Sequence, residues 1–276
     1  MYARFAGVVF VFVLCLALTC ADAAIEHTIT PFTGSVREWN PGIPTIDLES
    51  VRAHAGIAPH HGLASETIAR FYDNMPRDVE RVILLGPDHF KAGRNNVTIC
   101  PLAWRVGNNV LEVDDAATSA LISKGGAAAE SIPFRLEHSI GLHIVFINRY
   151  FPNSKVTALM VKNTALFREL SKLVPVVSEL LMQKGTIIIL SMDFSHDKMP
   201  EEAGHEDDKS VNSLLSFDSD NLEALDIDAP RAAWLFLEAL KRRGTISGTL
   251  LERTNSSEIT NRLDLLCTSY ATMIFR

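Results

Sequence analysis

Histidine is the side chain whose placement in this chain carries the most chemical information. Imidazole titrates near neutral pH and is the commonest side-chain metal ligand, so several gathered at one place can hold a metal or move protons. All nine histidines lie beyond the first 23 residues, and seven fall between His54 and His196. Three of the segments that carry them have one form. His60 and His61 stand in Ala58-Pro59-His60-His61-Gly62, just ahead of a helical pattern. His89 closes Pro87-Asp88-His89 after the apolar run Arg81 to Gly86. His196 closes Ser191-Met192-Asp193-Phe194-Ser195-His196 after the run Thr186 to Leu190.

In an open α/β sheet, ligands bind beyond the carboxyl ends of the strands. Three strand-to-helix junctions would then bring histidine to one edge, two of them with an aspartate, Asp88 and Asp193. A single loop histidine is ordinarily structural or solvent-facing. Three at successive strand ends predict a shared metal or catalytic site, with carboxylates completing the coordination or orienting the rings. A fourth segment, Glu137 to His143, opens a helix. His138 is its candidate proton carrier or substrate contact. His143, five residues on, points about 140° away and reads as packing.

The elements that must position these groups follow from hydrophobic periodicity. Arg81–Gly86, Val156–Val161 and Thr186–Leu190 read as strands covered on both faces, as in a parallel sheet. Ala64–Asn74, Ile140–Tyr150, Ala165–Gln183 and Pro230–Arg243 read as helices. For the last, Pro230 suits the first turn after Asp228, and Gly244 suits the position past the end. Leu250–Arg253 and Leu266–Phe275 read as late strands, and Gly93–Val113 as a loop-rich insertion with an antiparallel hairpin. Glu201–Lys209 reads as a solvated, charged loop opening a helix. The alternation predicts a single-domain α/β sandwich, its mostly parallel central sheet flanked by helices.

Composition narrows the partners. The chain has 276 residues, a net charge of −7 and no run of lysine or arginine, which argues against nucleic acid or an anionic membrane. Residues 1–23 have the form of a signal peptide: Arg4, an apolar run from Gly7 to Thr19, and Ala21-Asp22-Ala23 as a cleavage pattern. Export is therefore expected, to a periplasmic or extracellular location, with no integral membrane association once the signal is removed. A retained anchor, or a lipid on Cys20, is the lesser alternative. Residues 24–49 then read as an N-terminal extension and 50–276 as the domain. The mature chain keeps Cys100 and Cys267, enough for one disulfide but not for a disulfide scaffold or a zinc finger.

In their order and separation, APHHG, LGPDH, EHSIGLH and SMDFSH resemble the blocks of the Memo family, called AmmeMemoRadiSam system protein B in prokaryotes. Ser269-Tyr270-Ala271 resembles the family's closing block, and the similarity runs over roughly residues 50 to 276. That resemblance implies a fold similar to class III (LigB-type) extradiol dioxygenases, which hold Fe(II) with two histidines and a carboxylate. It implies His60 and His89 as metal ligands, with His138, Asp193 and His196 as catalytic residues of the surrounding pocket. Animal members carry a cysteine as third ligand in an SSQC block. Ile259 takes its place here, and Glu258, one residue earlier, is the carboxylate that would restore a triad. Gly141 replaces the family's second glutamate in EHSIE, His61 an alanine, and Phe90 a frequent second histidine.

The expected activity is that of a metal-dependent oxidoreductase, with Fe(II) foremost and Cu or Zn as alternatives, acting on a small-molecule substrate. A Zn-dependent hydrolase and a non-catalytic metal- or ligand-binding module with a protein or peptide partner stay open.

Overall fold

The computed structural model describes residues 27–34 and 53–276. The expected signal peptide lies outside the described residues. Eleven strands are described: β1 (Thr28–Ile29), β2 (Ala55–Ala58), β3 (Arg81–Pro87), β4 (Val97–Ile99), β5 (Ala103–Val106), β6 (Asn109–Leu111), β7 (Ala128–Ala129), β8 (Lys155–Val161), β9 (Thr186–Ser191), β10 (Gly248–Asn255) and β11 (Ser269–Phe275). The α-helices are α1 (Ser65–Asp73), α2 (Asp115–Ser123), α3 (His138–Tyr150), α4 (Phe167–Leu181), α5 (Pro200–Leu215), α6 (Pro230–Arg243) and the short α7 (Ser256–Thr260).

Eight strands form one sheet in the order β10-β11-β2-β9-β3-β8-β4-β7. Its centre, β2, β9, β3 and β8, is parallel, whereas β11 joins β2 and β4 joins β8 antiparallel. The apolar runs expected as doubly covered strands are these central ones, and their residues sort by parity. Ile83, Leu85, Ile188 and Leu190 face a core shared with α4 and α6. Val82, Leu84, Ile187 and Ile189 face a second core, shared with α1 and α3. A sandwich with a mostly parallel sheet between helical layers is thus the architecture observed.

Helix α6 has the bounds its punctuation predicts, Gly244 taking the left-handed conformation at φ 90° that ends it. The expected insertion holds β4 and the antiparallel hairpin β5–β6. Three expectations change. The charged stretch Glu201–Lys209 is no loop but lies inside α5, where Asp207 is buried and accepts from the Ser195 hydroxyl at 2.7 Å. The last strand starts at Ser269 rather than Leu266. Residues 27–34, part of the expected extension, are built into the domain: β1 pairs in parallel with β5, and Ile29 is buried in the second core. This N-terminal strap then runs over α3 at Gly141, where an added Cβ would come within 1.9 Å of the Phe32 carbonyl oxygen. Cys100 and Cys267 are both buried and both free thiols. Among the described residues no helix is long and apolar enough to cross a membrane.

Candidate metal centre

Parallel β2, β9 and β3 end at the same edge, and their following residues converge there. His60, two residues past β2, is buried. Its Nδ1 lies 3.0 Å from the Ser191 Oγ at the end of β9. The Ser191 hydroxyl donates its own proton to the Ser139 carbonyl at 2.6 Å, so toward His60 it can only accept. Nδ1 of His60 therefore carries a proton, and Nε2 is the atom turned to the site. It lies 3.0 Å from Asp228 Oδ2 and 3.8 Å from Asp193 Oδ2.

His89, after β3, is held the same way. Its Nδ1 donates to Glu137 Oε1 at 2.8 Å and its backbone N–H to Glu137 Oε2 at 2.9 Å. Its Nε2 lies 3.2 Å from the same Asp228 oxygen that faces His60. Glu137 is fully buried and caps α3 through the Ser139 N–H at 3.0 Å. One carboxylate thus begins the helix and fixes the ring of His89. Asp228 is in turn locked to Asp193: the Asp193 N–H donates to Asp228 Oδ1 at 3.0 Å, and the Asp228 N–H to the Asp193 carbonyl at 3.2 Å. Asn163 Nδ2 donates to the Asp228 carbonyl at 2.7 Å.

His138, first residue of α3, completes the cluster. Its ring stacks on that of His89 at 4.9 Å and meets that of His60 edge-on at 5.2 Å. Two sets of groups have ligand atoms all within 4.8 Å of one another: His60, His89 and His138, and His60, Asp193 and Asp228.

Charge separates these groups. Burial pulls the His60 imidazole down, but Asp193 and Asp228 outweigh it and hold the ring above its ordinary value. Burial is outweighed at His89 too, where Asp228 and Glu137 raise the imidazole to about 10. His138 goes the other way: burial, and then the positive neighbour His60, lower it to about 4. Burial raises the Asp193 carboxyl, while His60 and His89 overcome burial at Asp228 and keep it ionised. The centre therefore sets two rings whose protonated forms are favoured by the facing carboxylates beside one imidazole held neutral.

The residues expected at the site divide accordingly. His60, His89, His138 and Asp193 come together. His196 is exposed and stands outside both sets. Glu258 is not brought to the centre. Asn255, the last residue of β10, caps α7 through the Glu258 N–H, and the Glu258 side chain turns outward to accept from Thr254 Oγ1 at 2.9 Å. His143 is buried packing, its Nδ1 2.9 Å from the Tyr72 hydroxyl. The carboxylate that sequence reasoning passes over is Asp228, read only as the residue after which Pro230 opens a helix two positions on. The cap position is in fact Ala229, with no side-chain bond, which leaves the Asp228 carboxylate to the site. Its signal is an acid at a helix start on the edge where the histidines collect.

Known proteins resemble this chain along most of its length. The chain is 25% identical over 267 residues to a MEMO1 family protein of Methanopyrus kandleri, covering 91% of this chain and 90% of the relative. It is 24% identical to a MEMO1 family protein of Aquifex aeolicus, covering 82% and 87%, and 23% identical to one of Nitrosopumilus maritimus, covering 86% of each. The profile of the family described as Memo-like protein matches residues 26–274, nearly the whole described fold, and the chain belongs to that family.

Proposed function

We propose that this Memo-family chain is a metal-dependent oxidoreductase of dioxygenase-like architecture, binding a first-row divalent ion on His60, His89 and Asp228. The supporting observation is the shared Asp228 oxygen, 3.0 and 3.2 Å from two Nε2 atoms whose rings are already anchored through Nδ1. Donor atoms on one octahedral ion, each about 2.1 Å from it, lie about 3 Å apart, and each of these two distances has that length. Two histidines and one carboxylate are the donor set that non-haem Fe(II) takes with positions left open, which makes iron the first choice over Cu or Zn.

Such an ion would supply Lewis acidity and, for iron, electron transfer with dioxygen. The chain's own residues supply the rest. Ser191 and Glu137 fix the two rings, an anchoring by outer hydrogen bonds that raises ligand basicity. His138, stacked on His89 and edge-on to His60, is the group placed to take a proton from a bound substrate. Asp193, held beside Asp228, is the second carboxylate at the edge of the donor set. Export, which rests on residues 1–23, would place this chemistry outside the cytoplasm.

The test is metal loading of purified residues 24–276, stripped and reconstituted with Fe(II) without oxygen. One ion per chain is expected. Asp228→Ala and His60→Ala should each weaken binding at least 100-fold, with Glu258→Ala unchanged. Full loading of Asp228→Ala with loss in Glu258→Ala would sink this donor set. Retention of Zn²⁺ with ester or amide hydrolysis, and no O₂ uptake, would favour the hydrolytic alternative.

A further inference from the structure

Exposed large apolar side chains gather on the loops around this centre. Phe90 directly follows His89 and is 60% exposed, and Leu136 directly precedes Glu137 and is 64% exposed. Phe32 stands exposed on the strap over α3, Leu166 after β8, Met199 after β9 and Leu266 before β11. All of these segments belong to the edge where the parallel strands end. At the opposite edge only Met182 and Ile246 are comparably exposed among the described residues. Scattered apolar residues on a surface are ordinary, but their concentration at one place marks a binding surface.

Phe90 is the member tied directly to the centre. Its ring centroid lies 6.4 Å from that of His138 in an edge-on arrangement, and His138 stacks on His89. Rings therefore run from the outer rim to the donor set, and the outermost is more than half open to solvent. The floor beneath is polar and buried, formed by His60, Glu137 and Asp193. A polar floor under an apolar rim matches a ligand with the same division.

We propose that the ligand of this centre is an amphipathic small molecule, an oxygen-bearing head on an apolar body, and that Phe90 is a specificity-determining residue packing against that body. The proposal rests on the metal-centre reading above, since the head is what the ion would hold. An aromatic side chain gains both apolar burial and ring contact from such a body, an advantage of roughly three- to tenfold in affinity.

Three hydroxamates test it, each with the same chelating head: acetohydroxamate, hexanohydroxamate and benzohydroxamate. They are titrated calorimetrically into the Zn²⁺-loaded mature chain, whose loading is checked by metal analysis. The two larger probes should bind roughly three- to tenfold more tightly than acetohydroxamate. Phe90→Ala should remove that advantage while leaving acetohydroxamate affinity unchanged, and Phe90→Leu should keep the advantage for hexanohydroxamate. Because Phe90 is exposed, its variants should keep the parent circular dichroism spectrum. Equal affinities for all three probes in the loaded parent chain, or an advantage that survives Phe90→Ala, would overturn the role of the rim alone. A chain that takes up no metal would instead overturn the centre and this inference with it.

Discussion

An imidazole whose Nδ1 is committed to a hydrogen bond can act only through Nε2, and His60 and His89 are both in that position. Their anchors differ in kind: a hydroxyl for His60, a buried carboxylate for His89. Glu137→Gln keeps the shape of the anchor and removes its charge. It should lower metal affinity by about 10- to 100-fold, read by competition with a chromophoric chelator. The His89 ring is also held protonated without metal, so an ion must displace a proton. Uptake at pH 7 should release at least one, from His89, seen as a dependence of calorimetric enthalpy on buffer ionisation enthalpy. The same raised value fixes a stability trend. A group raised from 6.5 to about 10 contributes its full stabilisation below pH 6.5 and loses it as pH climbs through about 10. Metal-free protein should therefore lose denaturation free energy across that window. A flat profile there would contradict the pairing of His89 with Glu137 and Asp228. At this scale the sequence made His60, His89, His138 and Asp193 legible because each follows a strand or opens a helix. Asp228 was hidden because an acid just ahead of a helix has an ordinary role at a helix start.

Elements decide which of these groups can meet. The central strands and α6 were readable from periodicity and punctuation, since burial on both faces leaves an unbroken apolar run and Pro230 and Gly244 mark both helix ends. The strap was not readable: β1 is two residues long, and what fixes its path is the contact with Gly141, far along the chain. Glu258 illustrates the same limit, because a single cap at Asn255 starts a short helix there and swings the carboxylate away. Gly141→Ala should force the Phe32 backbone off α3 and lower stability by about 1–3 kcal/mol, measured by urea denaturation. An unchanged midpoint would mean that the strap does not bear on the helix.

At the scale of the whole molecule, the sheet is the device that brings loops from four parts of the chain to one edge. An ion bound only by the folded form stabilises it by mass action. Metal at 100 times its dissociation constant should add about 2.7 kcal/mol to the unfolding free energy. That corresponds to a rise of roughly 5–10 °C in the thermal midpoint of a chain of this size, absent in His60→Ala.

The donors come from before α1, from after β3 and from before α6, so no short stretch of the chain contains them together. A half-length fragment, a nascent chain still missing α6, or a proteolytic product cut between β9 and α6 would each lack part of the set. On the proposed donor set, metal occupancy would double as a completeness gauge: a sample that holds its ion has the ends of β2 and β3 and the start of α6 brought together.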